Sequence, residues 1–150
     1  MRLTTMTDYA LRLLMYAAQH PDRLCTITEI AQAHAISETH LMKVTHQLAL
    51  RGWIETVRGR HGGMRLAHSP KDINLGAVVR SIEPDFDLVE CFSADTCALT
   101  GSCRLTGVLQ GALQSFHAHL GGFTLESILP VPGASVPDAR RIILHRRGLT

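Results

Sequence analysis

The first helix predicted from the pattern of apolar and polar positions covers residues 7 to 20. Its apolar residues recur at i, i+3, i+4 and i+7, which places them on one face of a helix. Thr7 is the predicted N-cap, and Asp8 falls in the first turn, where the helix dipole favours an acid. His20-Pro21 ends the helix. The predicted buried face consists of Leu11, Leu14, Met15 and Ala18.

Two further helices follow closely. Thr26 and Glu29 have the spacing of a capping box and begin a short second helix. Its inward face is predicted to hold Ile27, Ile30 and Ala31. After a tight connection over residues 33–37, Ser37 is the predicted N-cap of a third helix that runs to about Arg51, where Gly52 stops it. The third helix has one apolar stripe, formed by Leu41, Val44 and Leu48.

A β-hairpin is predicted after the third helix. The stretches WIETV and MRLAH read as short strands on either side of the glycine-rich basic turn RGRHGG. Asn74 then caps a short helix that Pro84 ends. A long helix runs from near Cys103 to about Leu120, before Gly121-Gly122, and Thr124 caps a last turn. The long helix has a broad apolar face made of Leu105, Val108, Leu109, Ala112, Leu113, Phe116 and Leu120.

This order of elements predicts a mainly α fold with a small β-hairpin wing, that is, a winged helix-turn-helix followed by a long dimerisation helix. We expect residues 1–83 to form the DNA-binding domain and residues 84–103 a cysteine-containing loop. Residues 104–129 would form the dimerisation helix and its cap, and residues 130–150 a basic, flexible tail.

Charge is distributed unevenly although the formal net charge is only +2. Residues 37–65 are rich in cations, whereas residues 82–95 carry five acids and no base, namely Glu83, Asp85, Asp87, Glu90 and Asp95. This division predicts a basic surface for an anionic partner and a separate acidic segment. No apolar run is long enough to span a membrane, so we expect a cytoplasmic protein without a membrane partner. The nine histidines are scattered and form no convincing catalytic constellation, which predicts that the chain is not an enzyme.

The basic surface has the composition of a site for double-stranded operator DNA. Small polar and cationic side chains near the start of the third helix are suited to the major groove. Three arginines and a histidine around Gly59, Gly62 and Gly63 exceed what a solvated turn needs, and the glycines let the wing backbone approach phosphates or the minor groove. Because such proteins usually bind two half-sites, the long helix is expected to pair two copies as a homodimer. The predicted DNA-binding residues are Thr28, Ser37, Thr39, His40, Lys43, His46, Gln47, Arg58, Arg60, His61 and Arg65.

Three of the four cysteines, Cys91, Cys97 and Cys103, have the spacing C-x5-C-x5-C. A disulfide would leave one thiol over and is disfavoured in a reducing compartment, and the polar neighbours argue against core thiols. Zinc usually takes a tighter C-x2-4-C pair, whereas a looser loop can wrap an iron–sulfur cluster. The cluster is the favoured interpretation, and the nearby acids require a cationic iron core to keep the sulfurs deprotonated. The remaining Cys25 is expected to be a small, half-buried apolar residue.

The stretches MTDYALRLLMY and VRGRHGGMRL and the cysteine spacing together resemble the iron–sulfur winged-helix transcriptional regulators. The resemblance covers residues 1 to 129, and the tail lies outside it. IscR-like members carry a histidine three residues after the last cysteine, where this chain has Thr106. The sequence CRLTGVL and the Thr-Asp-Tyr at residues 7–9 are instead similar to the nitric-oxide-sensitive branch of the family.

The resemblance implies a repressor whose DNA binding is controlled by a cluster that nitric oxide attacks. It also implies that Asp8 from the other subunit is the fourth ligand of a 4Fe-4S cluster, beside Cys91, Cys97 and Cys103. From the residues alone, Asp8 is equally an acid of the first helical turn paired with Arg12. The alternatives are a 2Fe-2S cluster in a regulator that senses iron, cluster supply or redox state, and, further away, a zinc-binding regulator or a small redox protein.

Overall fold

A computed structural model describes residues 2–92 and 103–130 of the chain. Their order is three helices, a two-stranded antiparallel sheet and two further helices, so the predicted mainly α fold with a β-hairpin is confirmed. Short 3₁₀ turns lie at Pro70–Asp72, Glu90–Phe92 and Glu126–Ile128. The elements are α1 (Thr5–Ala18), α2 (Ile27–His34), α3 (Glu38–Leu50), β1 (Ile54–Val57), β2 (Gly63–Leu66), α4 (Leu75–Ile82) and α5 (Arg104–Gly121).

Helix α1 begins two residues earlier than the sequence predicts. Thr4 is the N-cap, and its hydroxyl accepts a hydrogen bond from the amide of Thr7 at 3.3 Å. Thr7 lies inside α1 and is fully buried, so its prediction as the N-cap is wrong. The predicted face is also rotated, since Leu14 is the only one of its four residues that is buried. Because α1 packs against α2, α3, α4 and β2, its most buried face lies between these neighbours and consists of Thr7, Ala10, Leu13, Leu14 and Ala17.

The helix-turn-helix formed by α2 and α3 has the predicted caps. The hydroxyl of Thr26 accepts from the amide of Glu29, and that of Ser37 accepts from the amide of His40, both at 3.3 Å. Each such cap stabilises a helix by about 1 kcal/mol. Ala35 ends α2 in the left-handed conformation, with φ of 53°, and thereby sets the tight turn into α3.

The wing is anchored to the segment before α2. Ile54 pairs with Leu66 and Val57 with Gly63. The backbones of Cys25 and Met64 exchange two hydrogen bonds of 2.8 Å, which form a single antiparallel bridge beside β2. A Cβ atom on Gly63 would lie 2.7 Å from the carbonyl oxygen of Cys25, so this glycine is needed for backbone packing. From the sequence, the wing glycines suggest only a close approach to DNA.

One hydrophobic core joins the winged domain to the segment after α5. Leu125 is fully buried in that core, and its amide donates to the carbonyl of Ile73 at 2.8 Å. The amide of Leu75 donates in turn to the carbonyl of Phe123 at 3.0 Å. The end of residues 104–129 is therefore fixed to the winged domain, and the division of the chain into separate regions stays a prediction.

Helix α5 has the predicted extent, but none of its residues is buried. Leu105 and Val108 on its apolar face are 59% and 67% exposed. An aromatic contact with the loop before it joins Phe116 to Phe86, with ring centroids 6.5 Å apart. Among the described residues, no helix combines the length and apolar character needed to cross a membrane.

Candidate nucleic-acid interface and cysteine site

The exposed face of α3 carries the side chains predicted to enter the major groove. Leu41, Val44 and Leu48 are buried on the opposite side, as the sequence predicts. This arrangement leaves a polar and cationic surface turned away from the core. Its members are Thr39, His40, Lys43 and His46, which are exposed, and Gln47, which is half-buried.

Two of the predicted contacts at the start of α3 are already bonded to each other. The ring nitrogen Nδ1 of His40 lies 3.0 Å from the hydroxyl oxygen of Ser37, which also caps the helix. The His40 ring also lies near the ring of Tyr9 in α1, with the two ring centroids 6.1 Å apart. Nothing in the sequence pattern indicates that Tyr9 and His40 are neighbours.

Further along α3, Lys43, His46 and Gln47 line a groove of about 420 Å³. Met6 from α1 and Ile82 from α4 lie on its other walls, so the cationic face of α3 adjoins the beginning of α1. The Gln47 side chain also accepts a hydrogen bond from Arg51, which is outside the predicted set.

The wing tip is an exposed cationic surface. Arg58, Arg60 and His61 are exposed between the two strands, and within residues 2–92 and 103–130 they form no ion pair. Arg65 differs, because its guanidinium pairs with Glu55 across the hairpin at 2.8 Å. Thr28, predicted as a further contact, lies in the first turn of α2 at the surface.

The structure describes two of the three clustered cysteines. Cys91 lies in the turn Glu90–Phe92, and Cys103 is the N-cap of α5; both are free and half-buried. The hydroxyl of Thr106, in the first turn of α5, lies 4.0 Å from the sulfur of Cys91. Cys97 and Asp95 fall outside the described residues, and those described contain no group of three candidate metal-binding side chains.

The position of Cys103 favours a thiolate. The amide and hydroxyl of Thr106, with the amide of Leu105, lower the pKa of its thiol below the ordinary value. The thiol makes no capping hydrogen bond of standard geometry, so we attribute the effect to the field of the helix N-terminus. Thiolate is the form of cysteine that binds metal ions.

Asp8 forms an ion pair with Arg12, which is one of the two roles predicted for it from the sequence. The guanidinium of Arg12 contacts both carboxylate oxygens, at 3.1 Å and 3.0 Å. Both side chains are about half exposed, at 48% and 46%. The carboxylate is accessible from outside the chain, and its role as a ligand to a second copy stays a prediction.

The acidic segment has a structural role that its charge pattern does not reveal. Glu83 accepts hydrogen bonds from the amide and hydroxyl of Thr4, at 2.8 Å and 3.2 Å, and thus ties the end of α4 to the start of α1. Asp85 accepts from the amide of Asp87 at 3.2 Å. These acids organise the backbone ahead of Cys91.

Cys25 is fully buried in the core, so the expectation that it is half-buried is wrong. Burial, as the largest cause, raises the pKa of its thiol. Its backbone pairs with Met64 of β2, and its side chain belongs to the hydrophobic core. The structure therefore places Cys25 away from solvent as a neutral thiol, apart from the cysteines at the start of α5.

A helix-turn-helix with an exposed polar face and a basic wing defines the winged-helix class of DNA-binding proteins. Residues 3–130 match the family model for Rrf2, described as an iron-dependent transcriptional regulator. The chain belongs to the Rrf2 family. Membership shows that it is a transcriptional regulator and confirms the prediction that it is not an enzyme.

Relatives extend this assignment along the chain. The chain is 48% identical over 132 residues to the HTH-type transcriptional regulator NsrR of Halalkalibacterium halodurans, covering 86% of this chain and 90% of that protein. It is 44% identical to NsrR of Geobacillus kaustophilus, over 99% of this chain and all of that protein. The resemblance to NsrR is thereby confirmed. The family model ends at residue 130, as expected, whereas the alignment with NsrR of Geobacillus kaustophilus also takes in the tail. Among solved structures, T. potens IscR is 25% identical with a TM-score of 0.68, covering 85% of each chain, which confirms the winged-helix fold.

Proposed function

We propose that this protein is a homodimeric repressor that binds operator DNA under the control of an iron–sulfur cluster and releases it in response to nitric oxide. The observation that carries the proposal is the pair of half-buried free thiols at the start of α5, one with a lowered pKa, in a chain with an exposed cationic winged helix. The nitric-oxide signal is what the sequence resemblance to the nitric-oxide-sensitive branch implies, and the chain is similar to proteins named NsrR.

The described residues fit an iron–sulfur cluster in their chemistry. Iron–sulfur clusters are held by thiolates, and Cys91 and Cys103 share one end of α5 through their common neighbour Thr106. With Cys97 they would supply three ligands. When bound, such a cluster supplies irons with which a small diatomic molecule can react. A 4Fe-4S cluster is our preferred type because three thiolates and one carboxylate match four irons.

Asp8 gives the fourth ligand and the link between subunits. In the single chain its carboxylate is held by Arg12, at an exposed surface of α1. Exposed ion pairs contribute about 0–1 kcal/mol, so this carboxylate can exchange Arg12 for a stronger partner. We propose that Asp8 of each copy reaches the cysteines of the other copy, and that loss of this bond returns it to Arg12.

The second copy would cover the apolar face of α5. Leu105 and Val108 are both more than half exposed on that face, and the described part of the chain does not bury them. Pairing through α5 would set the distance between two α3 helices and two wings, as two DNA half-sites require. The proposed DNA contacts are the eleven residues predicted from the sequence, of which only Arg65 forms an ion pair within the described residues.

Ligand exchange at Asp8 would couple the cysteine site to DNA. Thr4, the N-cap of the helix that carries Asp8, is bonded to Glu83, and the groove beside Lys43 adjoins Thr4. A shift of α1 would therefore act directly on the end of α4 and on the exposed face of α3. Allosteric couplings of about 1–3 kcal/mol correspond to changes in DNA affinity of roughly five- to 150-fold.

The proposal is tested by anaerobic purification, iron and sulfide counts, and operator binding before and after addition of nitric oxide. We expect about four iron and four sulfide per chain, a visible spectrum that nitric oxide alters, and a loss of operator affinity. About two of each, with DNA binding that follows iron supply and ignores nitric oxide, would instead favour the IscR-like alternative. Zinc, or no metal, would refute cluster control.

Variants of the cysteines separate ligation from folding. We expect Cys91→Ala, Cys97→Ala and Cys103→Ala each to abolish the visible spectrum and lower operator affinity to that of the protein treated with nitric oxide. Cys25→Ala is the matched control, because Cys25 is fully buried in the core and should leave the cluster content unchanged. Normal operator binding by the three variants would rule out the switch.

A further inference from the structure

Thr106 lies beside the two clustered cysteines that the structure describes, Cys91 and Cys103. It lies half-buried in the first turn of α5, with its hydroxyl oxygen 4.0 Å from the sulfur of Cys91. Cys103 precedes it by three residues, at the N-cap of α5. The amide and the hydroxyl of Thr106 lower the pKa of the Cys103 thiol. A single side chain thus adjoins two sulfurs that come from different backbone segments.

A threonine hydroxyl has one proton to donate, whereas a thiolate can only accept. Within residues 2–92 and 103–130, the one hydrogen-bond contact of the Thr106 hydroxyl is the sulfur of Cys91. A charged acceptor gives shorter and stronger hydrogen bonds than a neutral one. The contact of 4.0 Å between the Thr106 hydroxyl and the Cys91 sulfur should therefore shorten when that sulfur is a ligand to iron.

We propose that the Thr106 hydroxyl donates a hydrogen bond to the sulfur of Cys91 in the iron-loaded protein, and that Thr106 is a positioning residue which tunes the bond between that sulfur and iron. This inference rests on the proposed function, in that Cys91 must be a ligand. Threonine itself takes no place among the ligands.

The consequence of such a bond is electronic. Hydrogen bonds to ligand sulfurs withdraw electron density from them, and they are among the factors that set the reduction potential of an iron–sulfur cluster. Thr106 would therefore raise the potential and weaken the iron–sulfur bond of Cys91, relative to a protein that lacks the hydroxyl. A weakened bond at this cysteine would also open more readily on attack by nitric oxide.

The test compares Thr106→Val, which keeps the shape and removes the hydroxyl, with Thr106→Ser, which keeps the hydroxyl. Resonance Raman spectra of the iron-loaded proteins report the stretching frequencies of the bonds between iron and cysteine sulfur, and a redox titration reports the midpoint potential. For the valine variant we expect iron and sulfide counts like those of the wild type, higher stretching frequencies and a lower midpoint potential. The serine variant should match the wild type in all three.

Each outcome decides the inference. A valine variant that fails to load iron while the serine variant loads fully also supports it, because the two differ in the hydroxyl. Spectra and potential of the valine variant equal to those of the wild type would overturn it. Equal shifts in both variants would overturn it as well, since packing of the methyl group would then be the cause. If the wild-type protein holds no cluster, the proposed function fails first, before any variant is compared.

Discussion

Helices α3 and α5 are both amphipathic, yet the apolar face of α3 is buried and that of α5 is largely exposed. The stripe Leu41, Val44 and Leu48 on α3 is at most 1% exposed, because α1, α2 and β1 pack around it. On α5, Leu105 and Val108 are more than half exposed, although the helix is longer. The same kind of sequence pattern therefore completes a core in one helix and leaves a surface in the other.

The difference between α3 and α5 shows which apolar surface a single chain buries when it folds and which it leaves exposed. Burying apolar area stabilises a protein by roughly 25 cal/mol per Å², and α3 obtains this stabilisation within its own domain. The exposed face of α5 has that stabilisation still to gain from a partner. The polar face of α3, in contrast, gains nothing from burial and is free to meet an anionic surface. One helix is thus suited to DNA and the other to a second copy.

The largest expected effect is a loss of stability on removing a side chain from the buried apolar stripe of α3. Leu48→Ala removes a fully buried side chain and should lower the free energy of unfolding by about 2–5 kcal/mol, as measured by chemical denaturation. Leu50→Ala is the control on the same helix, since Leu50 is 68% exposed, and should change stability by less than about 0.5 kcal/mol. Similar losses for the two variants would mean that α3 is not packed as described.

The exposed apolar face of α5 is tested by placing a charged side chain on it. Val108→Asp should leave secondary structure intact and raise the dissociation constant of the homodimer by about thirtyfold or more, since central interface residues contribute about 2 kcal/mol or more. Sedimentation over a range of concentrations measures it. Leu50→Asp, at nearly the same exposure as Val108, 68% against 67%, should leave association unchanged. A Val108→Asp protein that still dimerises would show that this part of α5 faces solvent.

The sequence predicts the local features of the fold more reliably than the orientation of its surfaces. The caps at Thr26, Ser37 and Asn74 are predicted correctly, because each depends on a side chain and an amide three residues apart. The buried face of α1 is not, because apolar residues lie on several sides of that helix and only its neighbours decide which are covered. Thr7 is an example, because threonine is a common N-cap residue but tertiary packing buries this one.

At the candidate site, residue types are predictable and contacts are not. The pattern of three cysteines and the basic wing can be read from spacing and composition. That Glu55 neutralises Arg65 follows from the strand register, and that Thr106 adjoins Cys91 follows from the path of the chain into α5. Pairs that are distant in sequence and have no periodicity leave no signal in a single sequence.

The smallest effect concerns the polar face of α3, where the comparison assigns Lys43 to DNA. Lys43→Ala should weaken operator binding by roughly tenfold and reduce the slope of log affinity against log salt concentration by about 1, because one phosphate contact is lost. Lys71→Ala is the matched control. Lys71 is also exposed and is not one of the eleven proposed contacts. Pro70 beside it lines a groove with Ala17 and His20, at the far end of α1 from the groove that Lys43 shares with Thr4, and Arg65 in that groove is already paired with Glu55. Fluorescence anisotropy with an operator fragment at several salt concentrations measures both slopes. Equal slopes for the two variants would place Lys43 outside the interface and leave the wing as the principal contact with phosphates.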